Sequence, residues 1–198
     1  MRKFMYLNGF DFVKTHLQGP KILDIGNIGK SGFLHRKIRE VFKNCEITGL
    51  DIDRKKAKEF NFPNQVIADA KKIPFPNNYF DGVLMCEILE HTFEPQKMIK
   101  EAHRVLKPRG VLLVTTPNPY ALPRILRFFL KRMDTIGNPD HKIFYTPAIF
   151  KNILEKNNFE IKIISTDAIR IKSITIYLPR FKIFKMLGGN ICIKAIKK

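Results

Sequence analysis

Residues 23–32 read Leu-Asp-Ile-Gly-Asn-Ile-Gly-Lys-Ser-Gly, and the interpretation of the whole chain starts from them. Residues 21–25 predict a short buried β-strand, and apolar side chains at helical spacing predict a helix over 31–43. Glycines let the backbone bend sharply and let a ligand approach it, while the first N–H groups of a helix attract anions. We therefore predict a strand, a ligand-binding turn and a helix capped by Ser31, although this spacing also fits an ordinary turn.

Predicted strands and helices alternate along residues 1–119. The strands cover 21–25, 47–50, 65–68, 80–86 and 111–115, and the helices between them cover 31–43, 54–60 and 95–106. A turn over 108–110 is predicted before the last of these strands. This alternation is typical of an α/β fold with a doubly wound parallel sheet and helices on both faces. Such folds bind ligands at the carboxyl ends of the strands. The residues at those ends are Gly26, Asp51, Asp69, Glu87 and Thr116.

The chain changes character after residue 119. A basic amphipathic helix is predicted over 121–133 and a loop over 134–145. These are followed by a helix over 147–157, a strand over 159–165, a mixed apolar and basic segment over 170–187 and a strand over 190–196. We predict a single domain, 1–198, in which 1–119 bind a cofactor, 120–145 form a lid-like insertion and 146–198 complete the sheet.

The composition is strongly basic, with 36 Lys and Arg against 18 Asp and Glu and a net charge of +18. Residues 120–198 hold 16 of those basic residues but only five of the acidic ones. Such an excess favours an anionic partner, although a lysine-rich composition alone also produces it. The three cysteines form no CxxC pair and no apolar run reaches ~20 residues, so we expect a cytoplasmic protein. Helix 121–133 either contacts an anionic membrane surface or packs on the core.

Two carboxylates at successive strand ends indicate the kind of cofactor. Asp51 can accept hydrogen bonds from both hydroxyls of a ribose, and Asp69 can accept from the amine of an adenine. Ile52 offers an apolar face for the base. Each Asp alone also fits a solvated turn residue, but their succession behind one glycine turn predicts a nucleoside-containing cofactor.

Ordered motifs extend this prediction to a family. They lie at 23–26, 49–53, 68–70, 73–75, 80–81, 87–91, 104–110, 115–118, 141–144 and 147–159. Over about residues 20–165 the chain resembles the class I S-adenosylmethionine-dependent methyltransferases, within the group of ubiquinone-biosynthesis-type and surface-glycan-associated enzymes. The resemblance implies a Rossmann-like, mostly parallel seven-stranded sheet with a small helical lid.

The resemblance also implies which residues bind S-adenosylmethionine. They are Asp24, Gly26, Asn27, Gly29, Asp51, Ile52, Asp69, Ala70 and Cys86. The turn at Gly26 would hold the methionine end, and Cys86 and Glu87 would border the transferred methyl group. The family turn usually carries glycine at the positions of Ile28 and Lys30, so the contacts of residues 27–32 are open.

The acceptor end of the site is predicted from three residues, the catalytic candidates Glu87, His91 and His141. A general base near the acceptor would help if the methylated atom is a hydroxyl oxygen, and Glu90 is a further candidate for it. Glu87 and His91 share a face of a helical turn, but two ligands without a third are weak evidence for metal, so we expect none. His91 also fits a structural role, and Cys86 also fits a nucleophile or a small buried side chain.

The sequence thus predicts methyl transfer to a small-molecule acceptor, with an oxygen of a glycan or lipid-linked substrate favoured. An RNA-directed enzyme is the rival that the charge suggests, but strand four ends in Met85-Cys86-Glu87 rather than in the loop of amino-directed nucleic-acid enzymes. A non-catalytic cofactor-binding relative is a further alternative. A nicotinamide-dependent dehydrogenase has no place for the segments 87–91 and 104–118. The oligomeric state is open.

Overall fold

The computed structural model describes residues 9–29, 31–131, 138–171, 174–176 and 186–198. The helices are α1 (Gly9–His16), α2 (Phe33–Val41), α3 (Arg54–Phe60), α4 (Pro95–Val105), α5 (Leu122–Lys131) and α6 (Pro147–Lys156). The strands are β1 (Lys21–Ile25), β2 (Glu46–Asp51), β3 (Gln65–Ile67), β4 (Phe80–Cys86), β5 (Leu106–Pro117), β6 (Phe159–Thr166), β7 (Ile169–Ile171), β8 (Ile174–Ile176) and β9 (Asn190–Lys197).

Seven strands form one sheet in the order β3-β2-β1-β4-β5-β9-β6. Neighbouring strands from β3 to β5 pair in parallel, and β9 is antiparallel to both β5 and β6. The predicted doubly wound, mostly parallel seven-stranded sheet is confirmed. Because the chain order reverses between β1 and β4, a crevice opens there at the carboxyl ends of the strands.

Both faces of the sheet are buried, which explains the continuous apolar runs of the central strands. One face packs under α4 and α6 through a cluster that includes Met98, Ile99, Phe150 and Leu154. The opposite face packs under α1 and α2, around Phe12, Val13 and Ile38. No helix among the described residues is long and apolar enough to cross a membrane.

Three local predictions need correction or limits. Ser31 does not cap α2, because Gly32 is the N-cap residue and no side chain bonds there. The predicted turn at 108–110 belongs to β5, which starts at Leu106 and shifts register against β4 between Phe80 and Gly82. Lys30, the end of helix 121–133 and most of segment 170–187 lie outside the described residues; the β7–β8 hairpin within that segment was missed.

Candidate functional site

The glycine turn is the first component of the site. Gly26 has φ 72°, a left-handed conformation that favours glycine, and a Cβ there would lie 2.4 Å from Ile88 Cδ1. Its N–H donates to the carbonyl of Leu50 at 2.8 Å, which holds the turn against β2. Gly29 also has positive φ, at 47°, and a Cβ there would meet only the Gly26 carbonyl at 4.0 Å. The turn therefore presents backbone to open space, as ligand binding requires.

Asp24 is buried in β1 directly before the turn and is paired with a histidine. Its Oδ2 lies 2.8 Å from Nδ1 of His35, a residue of α2 that is 0% exposed. Burial raises the pKa of Asp24, the His35 pairing opposes that rise, and the charge of Asp51 adds to it. The pair fixes β1 to α2 on either side of the turn, so Asp24 acts by positioning the turn.

Asn27 is buried beneath the turn, where it forms a reciprocal amide pair with Gln65 of β3. Asn27 Nδ2 donates to Gln65 Oε1 at 2.7 Å, and Gln65 Nε2 donates to Asn27 Oδ1 at 3.2 Å. Gly49 makes room for this pair, since a Cβ on it would lie 2.3 Å from Asn27 Nδ2. The Asn27 side chain thus supports the turn from below.

Asp51 lies at the carboxyl end of β2 and faces the same cavity as the turn. Its Oδ1 accepts from the backbone N–H of Asp53 at 2.9 Å, which holds the carboxylate in place. Lys56 of α3 also lines the cavity, and its Nζ donates to the Gly29 carbonyl at 3.4 Å. The Asp51 carboxylate therefore lies beside the turn, and Lys56 connects α3 to the turn.

The end of β3 carries the predicted adenine-binding residues outside the cavity lining. Asp69 Oδ1 accepts from the backbone N–H of Lys71 at 2.9 Å, and Lys71 Nζ lies 3.7 Å from Asp69 Oδ2. Ala70 is buried. Ile52 is 69% exposed, an unusual position for a large apolar side chain and one suited to cover a base.

Beyond β4 the chain bends at Glu87, whose positive φ is a conformation that residues other than glycine rarely adopt. Its φ is 53°, and strained conformations of this kind cluster at functional sites. The Glu87 side chain is exposed to the cavity that it lines, and its partial removal from water within this recess raises its pKa, with a further rise from the charge of Glu90. The pKa of Glu90 is also raised, chiefly by burial. The two carboxyl groups thus form an acidic pair at the cavity wall that can release and accept a proton near neutral pH.

Cys86 ends β4 in the same wall. Burial raises the pKa of its thiol well above the usual range, and the charge of Asp24 adds to the rise. A nucleophilic cysteine needs the opposite shift, because the thiolate is the reactive form. The environment therefore favours the small buried side chain over the nucleophile.

A loop from the second half of the chain completes the site. Lys142 N–H donates to the Glu90 carbonyl at 2.7 Å, and this contact docks the loop on the 3-10 turn Leu89–His91. His141 then lies against His91, with ring centroids 4.9 Å apart. The structure brings all three predicted catalytic residues, Glu87, His91 and His141, to one wall.

These components enclose one cavity of about 690 Å³. It extends from the turn and Asp51 to the acidic pair and both histidines. The size is in the range of small-molecule sites. Sequence reasoning assigned no role to His35, and it did not single out Lys56 or Asp140; helical periodicity places these residues on elements without showing what they face.

Comparisons with known proteins agree with this architecture. Residues 23–114 match the family model described as a methyltransferase domain. A ubiquinone/menaquinone biosynthesis C-methyltransferase of Neisseria meningitidis is 37% identical over 116 residues, covering 53% of this chain and 46% of that protein. A ubiquinone biosynthesis O-methyltransferase of Aeromonas salmonicida is 28% identical over 147 residues, covering 67% of this chain and 59% of that protein.

A solved structure extends the likeness to the whole fold. It is a SAM-dependent methyltransferase from Thermotoga maritima, described as a possible histamine N-methyltransferase. The TM-score is 0.73 at 21% identity, over 99% of this chain and 91% of that one. The chain is thus similar to the S-adenosylmethionine-dependent methyltransferases, in sequence over residues 23–114 and in fold over almost its whole length. Its sequence relatives include enzymes named for ubiquinone biosynthesis, and it spans about half the length of the two described above.

Proposed function

We propose that this chain transfers the methyl group of S-adenosylmethionine to an oxygen of a small acceptor. The observation that carries the proposal is the single cavity that joins the glycine turn and Asp51 to Glu87, His91 and His141. S-adenosylmethionine, the cofactor of the family, supplies a methyl group already activated on a sulfonium. The protein then has to orient an acceptor, receive its proton and keep water out.

The residues of the turn fit the cofactor. Gly29 exposes backbone to open space, Gly26 lets the turn pack against Ile88, and Asp51 holds a carboxylate where ribose hydroxyls can donate. Ile52 and Asp69 at the ends of β2 and β3 would receive the adenine.

The acceptor end supplies the polar groups for an oxygen nucleophile. The acceptor hydroxyl gives its proton to a base of the cavity wall, its oxygen forms the new bond to the methyl carbon, and the carbon–sulfur electron pair returns to sulfur. Glu87 and His91 are placed to accept that proton. The docked loop with His141 covers this end and limits the access of water.

The acceptor class is inferred from the relatives and from α5. The relatives named for ubiquinone biosynthesis support a lipid-linked acceptor, and we favour a hydroxyl on such a molecule over a glycan. Arg124 of α5 lies over the Phe144 ring at 4.6 Å, which connects this helix to the loop that carries His141. An amphiphilic acceptor could therefore enter along α5.

Methyl transfer is tested with methyl-labelled S-adenosylmethionine and a panel of lipid-linked phenols, quinols and glycans. We expect label in a lipid-linked product, with one S-adenosylhomocysteine formed per methyl transferred. The Asp51→Ala variant should lose this activity at low cofactor concentration. Cofactor binding with no product from any acceptor class would instead favour the non-catalytic relative.

The exposed end of α5 predicts binding to anionic membranes. Phe129 is 72% exposed and Leu130 is 83% exposed, beside Arg127. Vesicles containing phosphatidylglycerol should sediment the protein at low salt, because burying apolar side chains adds to electrostatic attraction. The double variant Phe129→Ser/Leu130→Ser should weaken this binding by at least about tenfold, since each buried apolar side chain is worth ~1.5–3 kcal/mol.

The matched control is Ile149→Ser, which removes an exposed apolar side chain from α6. It should sediment as the unchanged protein does. Equal sedimentation of the double variant and the unchanged protein would exclude α5 as the contact.

A further inference from the structure

Three possible metal ligands meet at the acceptor end of the cavity. Glu90 and His91 lie on the 3-10 turn after β4, and His141 lies on the loop docked against it. One ligand atom from each lies within 4.8 Å of the other two. Sequence spacing had offered two ligands, Glu87 and His91, and no third. The fold adds His141 from 50 positions further along the chain and places Glu90 in the same group.

Glu90 carries an unsatisfied oxygen at this point. The residue is 0% exposed, and its Oε2 accepts from Thr116 Oγ1 at 3.3 Å. Its Oε1 is buried and has no hydrogen-bond partner among the described residues. A buried carboxylate oxygen without a partner is costly, and native proteins pair such groups with donors or ions. A cation beside Oε1 would remove that cost.

The histidine rings are oriented as metal ligands usually are. His91 Nδ1 lies 3.2 Å from the Asp140 carbonyl oxygen. A carbonyl only accepts, so Nδ1 carries the proton and Nε2 has the free lone pair. Metal-binding histidines commonly donate their other nitrogen to a carbonyl in this way. The His141 ring is held edge-to-face by His91 and by Phe144, at 4.9 and 5.9 Å between centroids.

The spacing of the donor atoms favours an ion over direct hydrogen bonds. Glu90 Oε1 bonds to neither histidine. Two metal–ligand bonds of ~2.0–2.2 Å separate their ligand atoms by up to about 4.2 Å. A small rotation of the side chains brings atoms within 4.8 Å to that range.

We propose that Glu90, His91 and His141 bind one divalent transition-metal ion in the cavity wall. Two imidazoles and one carboxylate favour Zn²⁺ and similar ions over Mg²⁺, which prefers oxygen ligands. Three protein ligands leave a coordination position open toward the cavity, as in catalytic sites. Its role in catalysis rests on the proposed function: an acceptor hydroxyl bound there would lose its proton more easily, to Glu87 rather than to the metal-bound His91, and would be fixed beside the methyl group.

Binding is tested on the full chain after treatment with a chelator, by calorimetric titration with Zn²⁺ and Mg²⁺ and by visible absorption with Co²⁺. We expect one Zn²⁺ or Co²⁺ per chain and no comparable binding of Mg²⁺. His141→Ala and Glu90→Gln should each weaken Zn²⁺ binding by more than about 100-fold, since each removes a ligand. No stoichiometric Zn²⁺ binding, or binding equal in these variants, would overturn the site.

Matched controls lie outside the cavity. His16→Gln and Glu155→Gln change the same residue types on α1 and α6 and should leave the metal affinity unchanged. Titration with S-adenosylhomocysteine establishes that each ligand variant is folded, because its binding should survive loss of the metal ligands. The titration with S-adenosylhomocysteine also separates the two proposals. If the unchanged protein does not bind S-adenosylhomocysteine, the proposed function is contradicted, whereas metal binding is measured in the absence of that compound. Full methyl transfer by the metal-free protein would overturn the catalytic role.

Discussion

Replacement of His35 by alanine is expected to lower the free energy of unfolding by about 3–5 kcal/mol, because it leaves a buried carboxyl group without its hydrogen-bond partner and opens a cavity. In the unchanged protein His35 Nδ1 lies 2.8 Å from Asp24 Oδ2, and in the variant Asp24 stays buried without this partner. The variant also opens a space beside Phe62. For a domain of this length the melting temperature should fall by about 10 °C. Thermal and urea unfolding followed by circular dichroism measure the change.

The size of the loss should depend on pH. Burial raises the pKa of Asp24 in the folded protein above its value in the unfolded chain. Between these two pKa values the folded state holds a proton that the unfolded state releases, so the free energy of unfolding falls as pH rises from the lower pKa to the higher one. Loss of His35 removes an interaction that lowers this pKa, so it rises further in the variant. The deficit should therefore be larger at pH 8 than at pH 5.

A glutamine in place of His35 is the matched control, since its amide can still donate to Asp24. It should recover part of the lost stability. If the alanine variant unfolded at the same midpoint as the unchanged protein, the Asp24–His35 pair would not be what holds β1 to α2 beneath the turn.

Replacement of Asp51 by alanine should weaken the binding of S-adenosylhomocysteine by about 30- to 100-fold. Hydrogen bonds to a charged group contribute ~1.5–3 kcal/mol, and each 1.4 kcal/mol is a factor of ten in affinity. Asp51 faces the cavity, and the backbone N–H of Asp53 holds its carboxylate in place. Isothermal titration calorimetry measures the affinity directly.

Asp53→Asn is the control for this change, because the residue lies two positions further along the chain and can still cap α3. Asp53 Oδ1 accepts from the Lys56 backbone N–H at 3.0 Å, and an asparagine oxygen can do the same. Its affinity should equal that of the unchanged protein. Wild-type affinity in Asp51→Ala would remove the carboxylate from the cofactor site.

Much of the fold follows from local sequence patterns. The apolar run 21–25 and the segment 80–86 became β1 and β4 with the predicted bounds, and helix 54–60 is α3. Strand ends in a parallel sheet necessarily meet at one edge, so Asp51 and Glu87 were predictable neighbours of the turn.

Contacts between distant segments were less predictable. His35 was identified as helical, but its partner Asp24 depends on how α2 packs over β1. The group of Glu90, His91 and His141 forms only because Lys142 docks its loop on the 3-10 turn, a backbone hydrogen bond that leaves no sequence signal. Residues 108–110, predicted as a separate turn, lie instead within β5 as an irregularity, since Leu106 pairs with Phe80 before them and Val111 pairs with Gly82 after them.

The central claim is that the cavity at the glycine turn and Asp51 binds S-adenosylmethionine. Calorimetric titration of the unchanged protein with S-adenosylhomocysteine, and in parallel with NAD, tests it most directly. We predict one molecule of S-adenosylhomocysteine bound per chain, with heat saturating at a one-to-one ratio, and far weaker binding of NAD. Absence of S-adenosylhomocysteine binding, or equal affinity for NAD, would contradict the account.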